Sequence, residues 1–152
     1  RGESDLYGPL QTTPEEGTDP RTMAVVALSF GLKASWREES TVENLRAALQ
    51  RGDTVILDLQ AWRENDPTPQ TWEDNWEDGH YVVLVGMDDR YLYLMDPSVT
   101  GAYASLPLEE LDERWHDYED RDGRMWRDRR LAIFISGKNP LASGPGRLIE
   151  VR

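Results

Sequence analysis

Asp78-Gly79-His80-Tyr81-Val82-Val83-Leu84-Val85-Gly86, followed shortly by Tyr91-Leu92-Tyr93-Leu94-Met95-Asp96-Pro97, is the stretch that decides how this chain folds. Two apolar runs rich in β-branched and aromatic residues flank Asp88-Asp89, which predicts an antiparallel hairpin. A histidine opens the first strand and an aspartate closes the second. Side chains alternate between the faces of a strand, so register decides whether the two meet. Centred on Asp88, with Met87-Asp88-Asp89 as an odd-numbered loop, the ladder sets His80 directly opposite Asp96. His80, Val82, Leu84, Leu92, Leu94 and Asp96 then share one face, and Tyr81, Val83, Val85, Tyr91, Tyr93 and Met95 the other. Directly opposed residues have Cβ atoms ~4.5–5.5 Å apart. At that range a carboxylate accepts from one imidazole nitrogen, fixes the tautomer and leaves the second nitrogen as a general base. Such a pair is the base and orienter of a nucleophilic triad. It is also an ordinary way to satisfy two polar groups at a strand end, and spacing alone leaves both readings open.

Working outward, Thr54-Val55-Ile56-Leu57-Asp58-Leu59 predicts a buried strand bounded by Gly52-Asp53. Before it, Ser40 to Glu43 fits a Ser-x-x-Glu capping box, and Val42, Leu45, Ala48 and Leu49 line the helix it opens. Leu32 to Trp36 alternates weakly, as a strand would. Thr18-Asp19-Pro20 is a helix start, and Met23, Val26, Ala27 and Phe30 form one apolar helical face that Gly31 terminates. Arg1 to Gly17, punctuated by Gly8, Pro9 and Pro14, is expected to be irregular. Beyond the hairpin, Leu108, Leu111 and Trp115 predict a third helix, and Leu131 to Ile135 a last strand. Arg63 to Asp78 and the charge-dense His116 to Arg130 are expected to be exposed loops, with His116 at the surface or capping the preceding helix. Helices first and an antiparallel hairpin later predict an α+β fold. One domain over 1–137 and a loose tail over 138–152 are the expected organisation.

The 152 residues carry 17 basic and 29 acidic side chains, a formal charge of −12. That balance repels phosphate and excludes nucleic acid and anionic membrane as expected partners. No apolar run approaches the ~18 residues of a membrane span, so no direct membrane insertion is expected. There is no cysteine and there are only two histidines. No disulfide, thiolate metal site or histidine-rich metal centre is therefore expected, and no cofactor. Asp74 to Gly79 superficially resembles a calcium loop, but Trp76 stands where a ligand is needed. The acidic run Asp117 to Asp122 is expected to be a solvated face. Trp72 and Trp76 would either line a peptide groove or cover a neighbouring edge.

Gly-His-Tyr-Val-Val-Leu-Val-Gly with Tyr-Leu-Met-Asp-Pro resembles the histidine and aspartate motifs of the double-glycine, bacteriocin-processing cysteine peptidases. These are papain-like enzymes that occur alone and as domains of ABC exporters. Leu45 to Ile56 resembles the helix and strand leading into the histidine motif, and Thr12 to Thr18 a loop ahead of a helix, so the similarity spans roughly residues 10 to 136. The resemblance implies a papain-like fold, a peptide or protein substrate, His80 as general base and Asp96 as the residue orienting it. It also places Gln60 and Trp62 near the substrate cleft. The family's catalytic cysteine and oxyanion-hole glutamine have no counterpart here, and Ser98 mimics no nucleophile. The expectation is an N-terminally truncated domain whose cysteine lies outside this chain. It would be inert alone and expose apolar surface on Val26, Phe30 and the sheet. The alternative is a non-catalytic, peptide-binding pseudopeptidase module.

Overall fold

The computed structural model describes residues 2–13, 17–63, 71–121, 123–137 and 147–150. The chain opens with α1 (Ser4–Leu10), where the sequence reading expected irregular chain. The turn is closed by local bonds that composition does not register: the Asp5 carboxylate accepts from Gly2 N at 2.8 Å, and the Tyr7 hydroxyl donates to Glu3 at 2.8 Å. Next comes α2 (Pro20–Ser29), with proline in its first turn. Asp19 caps it, accepting from Arg21 N and Thr22 N at 2.8 and 3.0 Å. Its buried face is Ala24, Val26 and Ala27; of the two side chains expected to be exposed, Phe30 lies beyond the last turn and is exposed, whereas Val26 is buried.

A strand, β1 (Lys33–Arg37), leads to α3 (Val42–Arg51). The capping box sits one residue later than expected. Thr41 Oγ1 accepts from Asn44 N, and Asn44 Oδ1 accepts from Thr41 N, so asparagine does what glutamate was expected to do. Ser40 is buried instead, its hydroxyl donating to the Arg37 carbonyl. Gly52 ends α3 at φ 77°, a conformation that suits glycine.

The remaining elements are β2 (Thr54–Gln60), β3 (Gly79–Met87), β4 (Tyr91–Met95), β5 (Ala102–Pro107), a 3-10 turn (Leu108–Glu110), α4 (Leu111–Arg114), β6 (His116–Arg121), β7 (Arg124–Arg129), β8 (Ala132–Ser136) and β9 (Arg147–Glu150). Seven strands form one sheet in the order β1-β8-β2-β3-β4-β5-β9, antiparallel throughout except that β9 runs parallel to β5. The fold is α+β. Three departures from the sequence reading stand out. Residues Ala102 to Pro107 form a strand the sequence reading did not identify. His116 to Arg129 is a two-stranded hairpin, not an exposed loop. Residues 147–150 of the expected loose tail add the edge strand β9, while 138–146 lie outside the described residues.

One face of the sheet holds the core. Val55, Leu57 and Leu59 of β2, Val82 and Leu84 of β3, Leu92 and Leu94 of β4, and Ala104 and Leu106 of β5 pack against Leu45, Ala48, Leu111 and Trp115. At ~25 cal/mol per Å², burial of these aliphatic side chains is the main favourable contribution to folding. The reverse face of β8 presents Ile133 toward α2, and the reverse face of β2 lies under the β6–β7 hairpin.

The β3–β4 register departs from expectation in a way that matters for His80. Near the turn, Met87 pairs with Leu92 and Gly86 with Tyr93; beyond Val85, Leu84 pairs with Leu94 and Val83 with Met95. Carried on without a break, the turn register would oppose Leu84 to Met95 and put His80 and Asp96 on opposite faces. A bulge at Val85 adds one residue and restores the parity. The two predicted faces therefore survive, although the predicted pairing of His80 directly with Asp96 does not.

Candidate active site

His80 is the second residue of β3 and pairs with Leu59 of β2. Asp96 follows the last residue of β4. Because Val83 pairs with Met95, Asp96 is a diagonal rather than an opposite neighbour of His80. Diagonal positions are ~7–8 Å apart, within reach of a long side chain. The imidazole spans the gap: Nε2 lies 2.8 Å from Asp96 Oδ1. A carboxylate only accepts, so Nε2 carries the proton and Nδ1 is the basic nitrogen. Among the described residues Nδ1 has no hydrogen-bond partner.

The carboxylate is held from three sides. Its side chain has no exposed surface, whereas that of His80 is 19% exposed. Ser98 N donates to Oδ1 at 2.7 Å, the Asx turn that Asp-Pro-Ser favours. Trp62 Nε1 donates to Oδ2 at 2.9 Å. Trp62, expected at the cleft on resemblance alone, is thus joined to the pair itself. It sits just past the end of β2 at φ 60°, with its ring packed against the core.

Gln60, the other expected substrate contact, is placed elsewhere. Alternation along β2 turns it away from His80, and it is fully buried. Its Nε2 donates to the His116 carbonyl at 3.0 Å and to Asp117 Oδ1 at 3.1 Å, while its Oε1 accepts from Asp78 N at 2.9 Å. With its whole amide engaged, it anchors the segment that delivers His80.

That anchoring involves residues the sequence reading did not single out for the site. His116, expected at the surface, is buried: its Nε2 donates to the Asn75 carbonyl at 2.7 Å and its ring lies 4.3 Å from that of Trp76. Asn75 Nδ2 donates to Asp78 at 2.7 Å, and Thr71 to Asp74 at 2.8 Å, so the residues of the apparent calcium loop bond within their own segment. Trp72 lies between the guanidinium groups of Arg63 and Arg114, at 3.9 and 3.7 Å. Both tryptophans therefore fasten the β2–β3 connection.

Beneath this segment lies an acidic cluster. The Asp117 carboxylate covers Gly79 so closely that any Cβ there would fall within 2.5 Å of three of its atoms. Burial, then the charge of Asp117, pushes the Asp58 carboxyl well above the usual carboxylate range. Burial raises Asp117 as well, against donors from Tyr118 N, Asp58 and Gln60. Asp58 is the more deeply buried, and its carboxyl is the one raised further. Tyr81, whose hydroxyl donates to Glu119 at 3.1 Å, is also pushed up, chiefly by burial. The acidic run is thus two-sided: Asp117 and Glu119 turn inward, while Asp120 is exposed.

Residues 17–122 match the model of the Peptidase_C39 like family. The fold is similar to that of a Bacillus anthracis protein described as a C39-like peptidase, with a TM-score of 0.57 at 20% sequence identity over 81% of this chain. The match covers 61% of that longer chain. No curated protein matches.

Proposed function

The chain belongs to the Peptidase_C39 like family, and from that premise we propose that it is most of a cysteine peptidase domain acting through a Cys-His-Asp triad. The 2.8 Å bond between His80 Nε2 and the buried Asp96 carboxylate carries this reading. It holds the imidazole in one tautomer and leaves Nδ1 as the base on a partly exposed ring. The 152 residues contain no cysteine, so the thiol of this scheme comes from a residue outside them. His80 Nδ1 takes the thiol proton, and the thiolate attacks the peptide carbonyl. The imidazolium returns that proton to the leaving amine as a thioester forms. His80 then deprotonates the water that hydrolyses the thioester, releasing the acid and regenerating the thiol. The buried carboxylate of Asp96 stabilises the imidazolium present between those transfers. The open edge of Trp62 forms a wall beside the substrate.

Peptide hydrolysis by the complete protein tests this. His80→Ala is expected to lower the rate by at least ~100-fold, the range of general-base contributions, and the 152-residue chain alone is expected to release no product. Hydrolysis by the isolated chain, or an active His80→Ala protein, refutes the triad. Peptide capture without cleavage by the complete protein supports the non-catalytic binding module instead.

A further inference from the structure

We infer that Trp62 is the positioning residue of the His80–Asp96 pair: its indole N–H holds one carboxylate oxygen and so fixes the plane in which the other meets Nε2. The inference deepens the peptidase reading and rests on it for the role of Asp96.

The torsion that turns a carboxylate about its own bond is broad, so burial alone does not fix the plane in which the group meets the imidazole. Three N–H donors distributed over the two oxygens do fix it. Ser98 N and His80 Nε2 share Oδ1, and Trp62 Nε1 alone occupies Oδ2. Among the described residues no other donor reaches Oδ2. Without the indole, that oxygen is left unpaired in a side chain with no exposed surface, which is unfavourable and favours rotation of the group.

The backbone points the same way. β2 pairs with β3 as far as Gln60, and Ala61 N still donates to the Asp78 carbonyl at 2.9 Å. One residue later, at φ 60°, Trp62 is in the left-handed region. Tryptophan has no intrinsic preference for that conformation, and its strain persists only where the surroundings impose it. The reversal aims the indole from the end of β2 past β3 to a carboxylate at the end of β4. A substrate contact alone does not require a bond to Asp96.

The test is Trp62→Phe, which keeps an aromatic ring and removes the donor, read by long-range proton–nitrogen NMR of the two histidine rings. In the native chain His80 is expected in the Nε2–H tautomer. In the variant the ratio of Nε2–H to Nδ1–H is expected to fall roughly fivefold, the leverage of one hydrogen bond. His116 serves as the internal reference, since its ring is buried and bonded to Asn75. An unchanged His80 ratio, or an equal change at His116, overturns the inference. If Trp62→Phe does not fold, Asp96→Ala is read from the other side. Hydrogen exchange of the Trp62 indole is expected to speed up roughly fivefold, and an unaltered rate overturns the inference. Neither readout requires substrate, so failure here leaves the peptidase reading standing, and failed hydrolysis by the complete protein leaves this one measurable.

Discussion

Replacing Gly79 with alanine is expected to destabilise the chain by roughly 2–5 kcal/mol, a figure that follows from what the new methyl meets. The added Cβ would fall within 2.5 Å of three atoms of the Asp117 side chain. A carboxylate on a free side chain would swing away at little cost. This one is held by Gln60 Nε2 at 3.1 Å, by the backbone of Tyr118 and by Asp58. Moving it breaks the Gln60 and Asp58 bonds, each about 1.5–3 kcal/mol for a charged partner, so roughly 3–6 kcal/mol together. Alanine offsets roughly 0.5–1 kcal/mol of that, because glycine loses more conformational freedom on folding. Urea unfolding of Gly79→Ala in two backgrounds, native and Asp117→Ala, measures the effect. In the second background the obstruction is gone, and the same substitution is expected to be neutral or slightly stabilising. An equal loss in both backgrounds, or a loss below about 0.5 kcal/mol in the first, would mean that the Asp117 carboxylate is not what the methyl meets. Because Gly79 precedes His80 in β3, the same experiment shows how strongly the β6–β7 hairpin holds the strand that carries His80.

Other outcomes follow from the same geometry. Native Asp58 keeps a proton that an unfolded carboxyl loses near pH ~4. Its contribution is therefore full below that pH and lost as pH rises through the native titration, with a slope of at most about 1.4 kcal/mol per unit. Asp58→Asn should remove that component, and urea midpoints from pH 4 upward, native minus variant, should show it; parallel profiles would contradict the retained proton. Thr41→Ala should cost about 1 kcal/mol, and Asn44→Ala should add little to it, because the two close one box; thermal melts of the singles and the double decide this. Deleting Val85 should give a regular ladder through Leu84–Leu94 and Gly86–Tyr93, with His80 still in the Nε2–H tautomer by NMR; loss of that tautomer would show that the turn needs the bulge.

Some of the site was legible in the residues. Val82, Leu84, Leu92 and Leu94 alternate with Tyr81, Val83, Tyr91 and Tyr93, and that period-2 pattern assigns faces without any knowledge of partners. The burial of the first set follows it. Asp19-Pro20 marked a helix start because its chemistry is local. Errors came where a residue's environment is supplied from far along the chain. His116 to Arg130 is rich in charge and was expected to be solvated, yet Asp117 and His116 meet Gln60 and Asn75, some 57 and 41 residues earlier. Gln60 was set near a cleft by resemblance; alternation along β2 turns it to the face opposite His80, where it is buried.

From residues alone, the apolar alternation sets His80 and Asp96 at the ends of adjacent hairpin strands and on their shared apolar face. The order of helices and strands likewise marks an α+β chain, of formal charge −12. The diagonal meeting of the pair is visible only in the folded ladder, because the one-residue bulge at Val85 leaves no pattern in composition. The tertiary structure alone decided that Trp62 completes the pair: a left-handed residue after β2 carries its indole past β3 to Asp96, and contacts across three strands are written in no local stretch of chain.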